Sequence, residues 1–228
     1  MIHRFVYFSV CTLFLFSACA TQKVLLAPPS DQIEEIEGYA SLRVTTHRKT
    51  SRSRVSFLFS LPSKGRIEVF DPFGKVHYQL FIVQGEAYFV IPAKKVYWKG
   101  QEEKILEKLF GFYLSLSDVV GLMSGYWPSS GQKKTREGMA SWMFLKNRKG
   151  WIRSGQRGEF TFEVQEFFGP TQWVQEVVFF HPQTEGRLKI LDVNFNQPFP
   201  EEAFVTSFTK TYSQKTWEEI REILSNAR

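Results

Sequence analysis

Residues 66–92, RIEVFDPFGKVHYQLFIVQGEAYFVIP, predict three β-strands joined by two tight turns. Apolar residues alternate with polar ones along these segments, and Gly or Pro bounds them, which is typical of strands in a sheet. The first turn, Asp71-Pro72-Phe73-Gly74, combines three residue types that favour turns with one that does not. A phenylalanine at a hairpin tip either folds back on its own sheet or points at an apolar partner, and the sequence leaves both open.

The same alternation extends in both directions from this stretch. Strands begin at Gly38 and recur to Phe195, with a slip between Ile190 and Leu191 that indicates a β-bulge. An extended piece follows at 196–207. The pattern predicts a mainly β protein, with about ten or eleven antiparallel strands in one domain over residues 37–228.

Three segments have helical spacing instead. Residues 101–113 place apolar side chains opposite charged ones, and a second short helix after Ser117, its expected N-cap, ends at Gly125. Thr216 and Glu219 fit a capping box at the start of a C-terminal helix. The two mid-chain helices either cover the sheet as lids or plug one end of a barrel as core.

The N-terminus predicts export and a lipid anchor. Residues 1–18 have a basic start, an apolar run and small residues before Cys19, as in a bacterial lipoprotein signal. Residues 19–36 then form the lipidated N-terminus and a tether, with a short helical turn from Ile33 to Ile36. Ala20 after the cysteine indicates the outer membrane by the rule of enteric bacteria. The alternative is an ordinary secretory signal that is cut nearby.

Composition argues against catalysis. The chain has 228 residues, 43% of them apolar and 16% aromatic, and a formal charge of +6, which is compatible with anionic lipid headgroups. After cleavage no thiol remains, and His47, His77 and His181 stand alone in sequence. Because no catalytic or metal-ligand motif is present, we expect no enzyme activity, no metal, no cofactor and no nucleic acid partner.

Three short motifs carry a resemblance to a known family. Residues 65–74 resemble a strand that ends in an Asn/Asp-Pro-apolar-Gly turn. Residues 114–128 resemble a helix pair that ends in Gly and Pro, and residues 199–204 resemble a P-x-x-x-F segment. In this order, and with the lipoprotein signal, the chain resembles the LolA/LolB superfamily on the LolB side, over residues 38–208. The resemblance implies an incomplete antiparallel β-barrel with lid helices over an apolar cavity.

The resemblance also implies a function. An outer-membrane lipoprotein of this kind, anchored on the periplasmic face, accepts acylated lipoproteins from a periplasmic LolA-like carrier and inserts them into the inner leaflet of the outer membrane. Pro72 and Phe73 match the loop that touches the bilayer. The alternatives are an envelope lipoprotein that binds another lipid or a glycolipid, and a non-enzymatic assembly partner of the same fold. The C-terminal helix is not expected in the short LolB form.

Alternation gives candidates for the cavity lining, although composition alone does not separate a cavity from a core. The candidates from the sheet and the lids are Val55, Phe57, Phe59, Tyr78, Leu80, Phe89, Trp98, Leu106, Leu109, Phe110, Val120 and Met123.

Overall fold

The computed structural model describes residues 33–46, 49–127, 141–182 and 184–226, without the side chains of Glu103, Phe110 and Glu201. One large sheet dominates this part of the chain. Its strands are β1 Glu35–Thr46, β2 Thr50–Ser60, β3 Lys64–Phe70, β4 Val76–Val83, β5 Glu86–Ile91, β6 Val96–Gln101, β7 Met143–Lys146, β8 Ile152–Arg157, β9 Phe160–Phe167, β10 Val174–His181, β11 Thr184–Phe195 and β12 Ser213–Gln214. The helices are α1 Glu102–Phe110, α2 Leu116–Ser124 and α3 Trp217–Asn226.

The twelve strands form an open sheet in the order β12-β6-β5-β4-β3-β2-β1-β11-β10-β9-β8-β7. Two antiparallel meanders, β1–β6 and β7–β11, meet where β1 pairs with β11. The strand β12 joins the edge of β6 in the parallel direction. The prediction of a mainly β, incomplete antiparallel barrel with a C-terminal helix is confirmed, with twelve strands in place of ten or eleven.

The sheet is curved around a core on its concave face. Alternate residues of each strand point there, as in Val55, Phe57 and Phe59 of β2, all at most 3% exposed. The predicted bulge is present: Tyr39 pairs with Asp192 and Ala40 with Ile190, so that Leu191 is the extra residue. Leu191 is 55% exposed, because the bulge turns it away from the core.

Helices α1 and α2 lie over the concave face. The N-cap of α2 is Ser115 and not Ser117, because the Ser115 hydroxyl accepts from the Asp118 amide while the Asp118 carboxylate accepts from the Ser115 amide. This reciprocal pair is a capping box. The helix ends at Gly125, whose φ of 80° lies in the left-handed region that favours glycine.

The N-terminal expectation was wrong in one respect. Residues 33–36 form no helical turn, because β1 already begins at Glu35, and Ile36 is fully buried between Phe195 and Phe59 on the neighbouring strands. The predicted signal, Cys19 and most of the tether lie outside the described residues.

The C-terminal segment crosses from one face of the sheet to the other. Phe208 packs on Phe81, Tyr88 and Tyr97 of the convex face, with ring centroids 5.2–6.0 Å apart. The segment 196–207, expected to be extended, contains a 3-10 turn at Glu201–Phe204, and a second turn follows at Ser207–Lys210. After β12 the chain enters α3 on the concave side.

Helix α3 is fixed at its start and along one face. Thr216 and Glu219 form the predicted capping box, with the Thr216 amide donating to the Glu219 carboxylate at 2.8 Å. Trp217 packs edge-on against Phe89 and Trp98, and Ile220 is fully buried. The helix therefore covers the β5–β6 end of the concave face.

Candidate functional site

An apolar cavity of about 280 Å³ lies between the concave face and the helices. Among the described lining residues, only Tyr78 and Gln79 carry polar groups. The lining consists of Leu42, Val55, Ile67, Val69, Tyr78, Gln79, Leu80, Phe89, Leu106, Leu109, Phe112, Leu114, Val119, Leu122, Met123, Phe160, Val177, Phe179, Leu188 and Leu224. Such a cavity suits an aliphatic or aromatic group and offers little to a polar ligand.

The sheet supplies one wall of the cavity. Because alternate residues of a strand face the same side, Ile67 and Val69 of β3 project into it together. The second meander contributes the opposite part of the wall through Phe160, Val177 and Leu188. The cavity therefore spans both halves of the sheet, across the junction of β1 with β11.

The helices supply the roof. Leu106 and Leu109 come from α1, Val119 and Leu122 from α2, and Leu224 from α3. Spacing of three residues places each pair on one helix face. All three helices thus form part of the cavity wall opposite the sheet.

A buried polar cluster fixes α2 over the second meander. The Asp118 carboxylate accepts from Trp142 Nε1 at 2.7 Å and is 2.9 Å from Arg157 Nη1. The Arg157 guanidinium stacks on Trp142 at 4.5 Å and donates to the Tyr113 carbonyl at 2.6 Å. Because both charged groups are largely withdrawn from water, separating them would leave a buried charge unpaired.

The structure brings seven of the twelve candidate residues to the cavity: Val55, Tyr78, Leu80, Phe89, Leu106, Leu109 and Met123. Phe57, Phe59, Trp98 and Val120 are buried in the surrounding core and do not line it. The side chain of Phe110 lies outside the described part of the structure.

Sequence reasoning missed several lining residues. Ile67 and Val69 alternate as clearly as the strand positions that were predicted to line the cavity. The helical spacing from Trp217 onward also indicates Leu224 as a lining residue. Phe160, Val177, Phe179 and Leu188 lie in strands of the second meander. Nothing in the sequence shows that this meander folds over the same space as the first.

The turn between β3 and β4 presents Phe73 to solvent. Its side chain is 89% exposed and does not fold back on the sheet. The Asp71 carboxylate accepts from the amides of Phe73 and Lys75, at 2.8 and 2.9 Å, and fixes the turn from below. With Pro72 also exposed, the tip is a rigid apolar projection.

The described residues hold neither a metal-ligand cluster nor a helix that could span a membrane. They contain no group of three or more His, Cys, Asp or Glu side chains placed to hold a metal ion. None of their helices has the length and apolar character needed to cross a bilayer. The absence of enzyme activity stays a prediction.

No family model matches the chain, and no curated protein matches it. Several solved structures match it. A LolA superfamily protein from Nitrosomonas europaea superposes with a TM-score of 0.55 at 7% identity, over 77% of this chain and 91% of that one. A domain from Vibrio parahaemolyticus that is named for outer-membrane lipoprotein sorting superposes with a TM-score of 0.58 at 9% identity. The superposition covers 77% of this chain and 91% of that domain. A DUF1329 family protein from Desulfovibrio piger superposes with a TM-score of 0.56 at 12% identity, over 78% of this chain and 92% of that protein.

Identities this low establish the architecture and leave function to the site itself. The superpositions cover more than three quarters of this chain and at least 91% of each of those structures. The protein therefore has the LolA-like fold.

Proposed function

We propose that this protein is a lipid-anchored protein of the outer membrane that accepts acylated lipoproteins from a periplasmic LolA-like carrier and releases them into the inner leaflet. The observation that carries the proposal is the apolar cavity under three helices. The LolA-like fold and the exposed Phe73 support it, as does the lipoprotein-sorting name of the Vibrio domain of this fold. Cys19 would bear the acyl anchor.

The cavity meets a physical requirement of such transport. Each methylene that leaves water is worth about 0.8 kcal/mol, so an acylated protein needs an apolar container to cross the periplasm. At about 280 Å³ the cavity is slightly smaller than the range of ~300–1,000 Å³ for ligand pockets. It accommodates part of one acyl chain as it stands, and a complete set of chains requires the helices to move outward.

Release requires the membrane to bind the chains more strongly than the cavity does. Phe73 would insert into the bilayer beside the cavity-bearing sheet and hold the protein in the orientation for release. Burying a Phe side chain is worth about 1.5–3 kcal/mol, which orients a protein that Cys19 already anchors.

The first test is native mass spectrometry of the mature chain carrying Cys19→Ala, expressed in the periplasm. Bound acylated protein or peptide is the expected result. A bare mass, together with no uptake of an apolar fluorescent probe, would contradict the proposal.

The second test is transfer of an acylated protein from carrier to outer-membrane vesicles. Phe73→Glu should abolish transfer and leave folding and acyl binding intact, because the side chain contacts nothing that stabilises the sheet. Leu145→Glu is the matched control, since Leu145 is 71% exposed on the edge strand β7. Unchanged transfer by Phe73→Glu would refute the role of the turn.

A second candidate is an envelope lipoprotein that binds a single phospholipid or glycolipid. The size of the cavity favours it over a triacylated anchor, because a lipid with two acyl chains needs less space beyond about 280 Å³ than an anchor with three. A co-purified lipid mass, with no transfer of acylated protein, is the result that would select this function.

A further inference from the structure

The end of the sheet that carries the Phe73 turn also carries the hairpin between β1 and β2. Arg54 of β2 pairs with Phe70, the last residue of β3. Residues of β2 before Arg54, back to Thr50, therefore run beside the turn at 71–75. At about 3.3 Å per residue, Arg52 and Phe73 both lie within about 10 Å of the Arg54–Phe70 pair along the strand direction, so one flat surface can touch both.

Cationic side chains cluster on the convex face at this end. Arg43 of β1 lies directly opposite Arg52 of β2 on one side and Arg187 of β11 on the other. In the neighbouring row, Ser41 separates Arg54 from Lys189. All five cationic side chains are exposed. Like charges directly opposite each other destabilise a sheet, so this arrangement lowers the stability of the free protein unless an anion lies against it.

The acidic groups near this cluster already have hydrogen-bond or ion-pair partners. Glu176 pairs with Arg187 at 2.9 Å and with Lys189 at 3.8 Å. Glu68 pairs with Arg66 farther along the convex face, and Asp71 accepts the amides of its own turn.

The other three cations of this cluster are arginines. Within the described ranges, none of Arg43, Arg52 and Arg54 has a carboxylate within 4 Å. The nearest exposed acid by register is Glu185, which lies opposite Thr45 and beyond Arg43 toward the hairpin tip.

We propose that Arg43, Arg52 and Arg54 form, with Lys75 and Phe73, a surface that binds the headgroups of anionic phospholipids. The proposal rests on the proposed function and identifies the lipid class that its membrane contact selects. An apolar tip flanked by guanidinium groups matches a bilayer surface, where acyl chains lie just below phosphates. Arginine presents a planar set of donors that fits a phosphate.

The magnitude follows from the number of cations. Each Lys or Arg near an anionic membrane surface strengthens binding about fivefold, so three arginines account for about 100-fold. Added salt should weaken this electrostatic part of the vesicle binding, because exposed charges are screened within about 8–10 Å at physiological ionic strength.

The test measures binding of the mature Cys19→Ala protein to vesicles of phosphatidylcholine alone or with phosphatidylglycerol. The parent should bind the phosphatidylglycerol vesicles more tightly, and Arg43→Gln, Arg52→Gln and Arg54→Gln together should weaken that binding about 100-fold. The control replaces Lys146, Arg148 and Lys149 with Gln, because these exposed cations lie around the β7–β8 turn at the opposite end of the sheet. Thermal unfolding verifies that both variants fold.

The outcomes separate the two proposals. Equal weakening in the control would mean that only net charge matters and would overturn the surface, as would unchanged binding in the arginine variant. If that variant binds normally while Phe73→Glu still blocks lipoprotein transfer, the surface is refuted and the proposed function stands. If it loses vesicle binding but native mass spectrometry finds no acyl cargo, the surface stands and the proposed function falls.

Discussion

Two neighbouring valines of α2 provide a sharp test of the cavity. Val119 lines it, whereas Val120 is fully buried in the core and does not. Replacing either with Phe adds the same apolar volume at adjacent positions of the same helix. We expect Val119→Phe to fill empty space and Val120→Phe to overpack the core.

The magnitudes follow from this difference. Val120→Phe should cost about 1–3 kcal/mol of folding free energy, a loss in Tm of about 2–4 °C per kcal/mol for a domain of this size. Val119→Phe should leave stability nearly unchanged. If the new ring displaces about three methylenes of a bound acyl chain at ~0.8 kcal/mol each, it weakens binding by about 2.4 kcal/mol, or about 60-fold.

The assay is thermal unfolding together with titration of cis-parinaric acid, a fluorescent fatty acid. A folded Val120→Phe protein should bind the probe like the parent, because its side chain does not reach the cavity. If Val119→Phe is as unstable as Val120→Phe and binds the probe normally, the space between sheet and helices is not a binding site.

Three further predictions concern the helices that cover the cavity. Ile220→Ala should destabilise the protein by about 2–4 kcal/mol in thermal unfolding, because this side chain is fully buried under α3. The Lys215 ammonium and the Thr216 amide, by hydrogen bonding, lower the pKa of Glu219 to about 2 from its ordinary 4.5. Its stabilisation is complete above pH 4.5 and is lost toward pH 2, so the Tm of the parent and of Glu219→Gln should converge across that range. Hydrogen exchange measured on the protein with bound fatty acid should show backbone amides of α1 losing protection before those of α2. The reverse order would contradict an opening of the roof at α1.

The sequence predicted strands where one face is strongly apolar and failed where it is not. Phe160, Phe162 and Val164 alternate cleanly in β9, and the bulge at Leu191 was visible as a break in alternation. The strand β8, IRSGQR, has one apolar residue, and its pairing with β7 and β9 comes from backbone hydrogen bonds that side chains do not signal. The two-residue β12 is too short for any period.

Alternation identified the concave face but not which part of it is hollow. Val55 and Phe57 share that face, and only Val55 lines the cavity. The Phe57 ring lies over Gly38 of the neighbouring strand, where a Cβ would sit 2.6 Å from it. A contact between residues distant in sequence thus draws the aromatic side chain onto the backbone and away from the cavity. The pairing register of β2 with β1 decides where the Phe57 ring lies, and the alternation of apolar residues does not reveal that register.

The three roof helices are held by different forces, and this decides which of them can open. Moving α2 would break the Asp118–Arg157 pair inside the protein, a cost of about 3–5 kcal/mol that no acyl chain could restore. Helix α1 is held chiefly by Ile105 and Leu106, both at most 1% exposed, and its polar ties are at its ends, as in the Leu116 amide that donates to Glu102. Apolar surface uncovered by α1 is covered again by an entering acyl chain, so the cost of opening is largely recovered on binding. We therefore expect the roof to open at α1 while α2 stays fixed.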